Sequence, residues 1–276
     1  MPTYIAKLFY LGASYHGSQW QPNVSTIQGE LVEALSSWSH EELTRDSVIL
    51  SGRTDRGVSS LGQIVRFATE KKPNLEKINS HLPDDISLWG ISEVSHDYNP
   101  RFKVLFRHYR YYLETKGLVL DFNKIKSAQE YLIGSNNYAL ISKPDDDRNT
   151  FTTILNISSK DFGNHIVFDF YGVSFLWKLV RKSVTLLKWI GLGLYPPEII
   201  KELLSGKKMI PGGIEPSPPE GLILIDAATP LRIKPDLKAL KRIKKVVTSR
   251  AGPHRRTVSM LNKITLDFLS GQMLSY

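Results

Sequence analysis

The sequence predicts an α/β or α+β fold, and three observations predict it. Helix, strand and turn signals alternate along the chain without a regular repeat length, which excludes a solenoid. The chain has 276 residues, 41% of them hydrophobic, enough for one large domain or two small ones with buried cores. Its clearest strand pattern, "VLFRHYRYYLET", and its strongest amphipathic helix, "SFLWKLVRKSVTLLKWIG", occur in the same chain with further strand-like segments around them.

The elements follow in order. A first strand is expected over Tyr4–Leu11. After a polar loop, "STIQGELVEALSSWS" reads as a helix, because Ser25 and Gln28 have capping-box spacing and Ile27, Leu31, Leu35 and Trp38 recur on one face. Two β-prone segments, 48–50 and 63–69, flank a charged turn, and "LPDDISLWGISEV" reads as turn then strand. From Val104 to Thr115 partial alternation favours a long strand, with Leu105, Arg107, Tyr109, Tyr111 and Leu113 on one side. A helix over 124–133 and strands over 151–157 and 165–171 come next. The helix over 174–191 takes Ser174 as N-cap and buries Phe175, Leu179, Leu186 and Ile190 before Gly191 and Gly193 end it. Pro196 and Pro197 start another helix, Glu198–Leu204, and "LILIDAA" forms a buried strand.

Composition excludes several chemistries. There are no cysteines, hence no disulfides, thiolate nucleophiles or Cys-ligated metals. The seven histidines include no HExxH pair, the acidic run at 145–147 lacks the rest of a calcium loop, and "GLGLY" follows a helix rather than a strand, so neither a metal nor a small-molecule cofactor is expected. The amino terminus carries a lysine inside its apolar stretch and no signal-peptide pattern, and Lys188 interrupts the best later apolar run, so a cytoplasmic protein without a membrane span is expected.

The net charge of +9 resides in the tail. Residues 231–276 hold eleven Lys or Arg and two Asp or Glu, whereas residues 1–230 hold twenty-five of each sign. Such a tail is suited to tracking nucleic-acid phosphates, or equally to forming the solvated face of a helix.

One stretch stands out for chemistry. "SGRTDRGVSSLGQ", residues 51–63, sets Asp55 between Arg53 and Arg56 in a turn punctuated by glycines. An aspartate flanked by cations can attack as a nucleophile, accept a proton, or fix a turn as an Asx residue. A glycosidase-like pair would need a second carboxylate, and only Glu70 is near in sequence.

The same stretch resembles the GRTD-x-GV-x-x-x-GQ signature of the TruA family of tRNA pseudouridine synthases. Other segments resemble that family in the same order: "YHGSQWQPNVSTIQGEL", "LPDDI", "RFKVLFRHYRYYL", "FLWKLVR" and "EGLILID". The resemblance runs from residue 4 to about 230, and the chain departs from it in reading "GVSS" where GVHA is common and in placing Trp177 and Lys178 where histidines are usual.

The resemblance implies a pseudouridine synthase fold: a mixed, mainly antiparallel sheet flanked by helices, with two similar halves around a central basic cleft. It places the amino-terminal half of the catalytic domain at 1–100, the carboxy-terminal half at 101–230, and leaves 231–276 as a basic extension. It implies isomerisation of uridine in tRNA, at positions 38–40 of the anticodon arm in the bacterial-type family, without a cofactor and by a homodimer. Carried over residue by residue, Asp55 is the catalytic carboxylate, Tyr109 sits against the target base, Arg181 pairs with the carboxylate, and Arg53 serves RNA binding and base flipping. Arg56, Arg107, Lys178 and Lys182 join Arg53 and Tyr109 as the side chains expected at the RNA. A catalytically silent tRNA-binding or RNA-folding protein on the same scaffold is the alternative.

Overall fold

The computed structural model describes residues 1–143, 145 and 149–249. Its strands are β1 (Thr3–Tyr10), β2 (Ile49–Leu50), β3 (Ser59–Ala68), β4 (Ile86–Val94), β5 (Phe106–Glu114), β6 (Gly134–Asn137), β7 (Phe151–Asp161), β8 (His165–Gly172) and β9 (Leu222–Ala228). Its helices are α1 (Ile27–Ser39), α2 (Leu75–His81), α3 (Pro100–Lys103), α4 (Phe122–Leu132), α5 (Leu179–Gly191), α6 (Ile199–Leu204) and α7 (Leu237–Ser249). β1 pairs antiparallel with β3 and β4, β2 with β3, β5 with β8 and β7 with β6 and β8, whereas β3 and β9 are parallel, which gives the mixed, mainly antiparallel α/β architecture. Among the described residues no helix is long and apolar enough to cross a membrane. The chain groups into two units, one of Met1–Val104 with the chain from Ile223 onward, the other Leu105–Leu222.

In the first unit the strands lie in the order β4–β1–β3, and β2 and β9 share the other side of β3. Alternation along β1 feeds both faces. Ala6, Leu8 and Tyr10 enter a core with Leu31, Leu35, Trp38 and Ile78 of the helices, and Ile5 joins Ile64, Tyr98 and Ala227 in a second cluster. β9 comes so close at Gly62 that a Cβ there would stand 2.5 Å from the Ile225 carbonyl oxygen. Lys7, on β1, reaches across to β9, where its buried ammonium binds the Asp226 carboxylate and donates to the Ala227 carbonyl at 2.8 Å.

Three features of this unit differ from the sequence expectation. The cap of α1 is Thr26, whose Oγ1 accepts from Gly29 N at 3.2 Å, whereas Ser25 donates to Glu30 and Gln28 is buried. The reason is tertiary: the Ile27 and Gln28 amides donate to the carbonyls of Gly17 and Ser18, so the preceding loop sets the first turn. β3 also begins at Ser59, which makes the last five residues of the charged stretch strand. The short helix α2, absent from the expectation, is capped by Asn74, which accepts from Lys77 N at 3.0 Å.

The tail does not begin as a loose segment. Pro235 bridges Gly90 at the outer edge of β4, and Asp236 N donates to Trp89 O at 2.7 Å. α7 then buries Ala239, Leu240, Ile243, Val246 and Val247 and packs on α2 and β4. The remainder of the tail, with the run at 146–147, lies outside the described residues.

In the second unit the strands run β5–β8–β7–β6, with α5 on β5 and α4 on β7. The edge strand β6 was not expected. The alternation read in β5 is realised: Tyr109, Tyr111 and Leu113 are buried and face Phe170, Phe168 and Ile166 of β8. On the other face Asp169 accepts from His108 Nε2 at 2.5 Å and from Arg110 Nε and Nη2 at 2.8 and 3.0 Å. α5 begins at Leu179, five residues beyond the expected Ser174 cap. Carbonyls needed to start it earlier are occupied, Ser174 O by the Thr152 hydroxyl and Trp177 O by Lys143 N, both at 2.8 Å.

Two outcomes follow from this packing. Replacing Gly62 by Ala forces β9 away from β3 and is expected to destabilise the protein by about 1–3 kcal/mol in urea unfolding, and a neutral effect would disprove the close approach. Burial alone would raise the Asp169 carboxyl, but the bonds from His108 and Arg110 outweigh it and hold the group below the usual carboxylate range. Its stabilisation is therefore present above that range and lost as pH falls through the lowered value. Asp169→Asn should cost about 3 kcal/mol at neutral pH and flatten the acid limb of a stability–pH curve.

Candidate active site

Residues Ser51–Val58 form the loop between β2 and β3, and the residues that hold it are buried. Gln63, fully buried in the middle of β3, donates from Nε2 to Gly52 O at 2.9 Å and accepts from the Ser51 hydroxyl. In the middle, Thr54 N donates to Ser18 Oγ at 2.8 Å, Ser18 N returns a bond to Thr54 O at 3.1 Å, and the Thr54 hydroxyl meets that of Tyr10 at 2.8 Å. At the far end Val58 N closes a turn on Asp55 O at 3.2 Å, and Gly57 supplies the positive φ of 85° that this turn requires. The loop thus has fixed ends and a fixed centre. On this frame Asp55 is half-buried, and Arg53 and Arg56 are exposed on either side of it.

The frame reaches further. Tyr15 donates to the buried Asp85 at 2.6 Å, and Leu11 N donates to Asp85 O at 3.0 Å, which ties the "YHG" segment to the "LPDDI" turn. Ser18 continues the same segment to the loop of Asp55. Sequence reasoning quoted these stretches but assigned no role to Tyr15, Ser18, Thr54, Gln63 or Asp85. Their signal was position inside shared motifs, and these side-chain partners lie from eleven to seventy residues away.

The second unit carries the other expected residues. Tyr109, buried on β5, meets the Phe175 ring edge-on with centroids 5.1 Å apart. Arg107, two residues back on the same face, is also buried. Its Nη1 donates to Val173 O at 2.6 Å, and desolvation lowers its guanidinium from the usual value. Arg181 lies in the first turn of α5, buried, with Nε donating to Ser217 O at 2.6 Å. The loop answers with Ser217 N to Arg181 O at 3.1 Å and a 2.8 Å contact between the Ser217 and Thr185 hydroxyls.

Beside it stands a basic cluster. Lys178 caps α5 in the left-handed conformation, with φ of 62°. Lys182 Nζ donates to Ser142 O at 2.9 Å, and burial first, then the neighbouring Lys178 and Lys143, lower its ammonium below the usual lysine value. The Trp177 ring, exposed, carries Lys143 Nζ at 4.0 Å and Lys178 Nζ at 5.6 Å from its centroid. Each unit by itself therefore brings expected residues together: Arg53, Asp55 and Arg56 on one loop, Arg107 and Tyr109 on one strand, and Lys178, Arg181 and Lys182 on one helical turn.

Comparison with known proteins agrees with these motifs. A family described as tRNA pseudouridine synthase matches residues 128–230. The tRNA pseudouridine synthase A of Methanosarcina acetivorans is 39% identical over 223 residues, covering 79% of this chain and 81% of that protein. The protein of the same name from Pyrococcus abyssi is 35% identical, covering 88% of this chain and 91% of its own length, and that from Methanococcoides burtonii is 34% identical over 97% and 98%. With identity at this level spread over both units, the chain belongs to the TruA family of tRNA pseudouridine synthases.

Proposed function

We propose that this chain, a tRNA pseudouridine synthase by family, acts on uridines of the anticodon arm, at positions 38–40, with Asp55 as the carboxylate that opens the glycosidic bond. The observation that carries the reading is the loop of Asp55. Its backbone is pinned by buried Gln63, Ser18 and Thr54, while the carboxylate stays half-buried and its two arginine neighbours stay exposed. A rigid loop that offers one carboxylate and two cations suits a reaction on a polyanion better than a turn needing only stability.

The chemistry is an isomerisation. The N1–C1′ bond of uridine breaks, the uracil turns while bound, a C5–C1′ bond forms, C5 loses its proton and N1 ends protonated. Atoms balance without an oxidant or co-substrate. Asp55 serves either by attacking covalently or by withdrawing a sugar proton, and Arg181 supports its charged form. Tyr109 offers an apolar ring face to the uracil and a phenol at hand for the C5 proton. Extrusion of a stacked nucleotide costs a few kcal/mol, and Arg53, exposed on the same loop, is suited to fill the vacated stack. Arg56, Arg107, Lys178 and Lys182 add positive charge for the RNA, Arg107 from a buried place on the strand that carries Tyr109. The family resemblance adds a homodimer in the cytoplasm.

Tritium release from tRNA labelled at C5 of uridine tests the assignments. Asp55→Asn should fold normally and lose at least about 10³-fold in turnover, and full release would end the catalytic assignment. For Arg181→Met a fall of about 10²–10³-fold in kcat is expected with little change in KM, and an unchanged kcat would remove its support of the carboxylate. Mapping the pseudouridines made in a tRNA transcript decides the position.

A further inference from the structure

The packed face of α7 holds its opposite face in a defined place at the surface. Ion pairs engage part of its charge: Lys238 Nζ binds Glu76 at 2.9 Å, and Arg242 Nη2 binds Asp84 at 3.3 Å. Lys241, Lys244 and Lys245 are exposed, and among the described residues none of the three has an acidic partner. With Thr248 and Ser249 they line one shallow depression of about 430 Å³. Positions 241, 244, 245 and 248 are spaced by one helical turn, so their Cβ atoms lie about 5–6 Å apart and one extended anion can meet them together.

The place of this face in the first unit identifies the ligand. α7 leaves the sheet by the bridge at Gly90 on the outer edge of β4, whereas the loop of Asp55 runs into β3, two strands inward. Two strand spacings of about 4.8 Å separate them in the sheet plane alone. Contacts at both places lengthen the span a ligand must cover, which suits a polymer better than a single nucleotide. Lysines present point charges and no planar fork, which suits phosphates and reads no base.

We propose that Lys241, Lys244 and Lys245 form a second RNA-docking surface, which holds the sugar-phosphate backbone of the tRNA outside the arm being modified. The proposal rests on the tRNA reading above. It also revises the tail as an RNA element: deleting it would remove the buried face of α7 as well as its charge, so charge reversal is the cleaner probe.

The experiment compares K241E/K244E/K245E, and a neutral Gln triple, with the unaltered chain. Binding to full-length tRNA and to an isolated anticodon-arm hairpin is measured over a salt series, with tritium release in parallel. Expected for full-length tRNA are a Kd raised at least about tenfold and a log Kd against log salt slope reduced by about 2–3. The Gln triple should fall between, kcat at saturation should not change, and hairpin binding should stay as it was. Equal Kd and slope for both triples would overturn the proposal. An equal loss on the hairpin would also overturn it, because the lysines would then serve the reacting arm. Should the unaltered chain bind tRNA yet release no tritium, the catalytic reading fails while the binding series still judges the lysines.

Discussion

β9 can lie parallel to β3 only because position 62 has no side chain, and the next residue, Gln63, is the one that grips the loop of Asp55. The two adjacent residues solve different problems with one stretch of backbone. Gly62 admits the returning strand, Lys7 crosses to bind its Asp226, and the resulting sheet fixes where Gln63 presents its amide. Gln63 then accepts from the buried Ser51 hydroxyl and donates to the carbonyl of the half-buried Gly52. The half-buried carboxylate is therefore positioned by the sheet, through the Gln63 amide, together with the Ser18–Thr54 bonds and its own turn. Loops held in this way lose little entropy when a ligand arrives, because their order was established on folding.

The second unit reaches order by a different route. Its strand β5 is apolar and aromatic on one side and polar on the other, with Asp169 accepting from His108 and Arg110 of β5 at once. Such a network is directional where the Tyr109, Tyr111 and Phe170 packing is not, so it fixes register as well as stability. The strand register in turn settles which residues reach the helix side, and Tyr109 and Arg107 are among them.

How much of this was legible in the sequence depended on the range of the interactions. β1, β5, β8 and α4 were readable because alternation or helical periodicity belongs to the segment itself. α1 was placed correctly but its cap was not, since Ser25 and Thr26 are chemically equivalent caps and the carbonyls of Gly17 and Ser18 decide between them. α5 was started too early for a related reason: "SFLW" has helical composition, but Thr152 and Lys143 claim its carbonyls. α2 and β6 escaped because seven and four residues carry too little period to register. At the site, a motif alone singled out Asp55, and charge patterning alone left it an ordinary turn residue. Gln63, Ser18 and Asp85 gave no local sign of their roles. Their chemistry is that of any buried amide, hydroxyl or carboxylate until the distant partner is known.

The return of β9 also sets a schedule for synthesis. Ser60 and the Leu224 carbonyl it binds are 164 residues apart in sequence. At 5–20 residues per second the ribosome needs roughly 10–30 s to supply the second partner after the first. During that interval part of one side of β3 is an open strand edge, a hazard for association with other nascent chains. The intervening segment Leu105–Leu222 is by then complete as a contact unit of its own. The protein that emerges last-strand-first in its dependence, with its amino-terminal framework waiting on its carboxy-terminal third, is one whose truncation products should be recognised by chaperones and proteases rather than accumulate as partial enzymes.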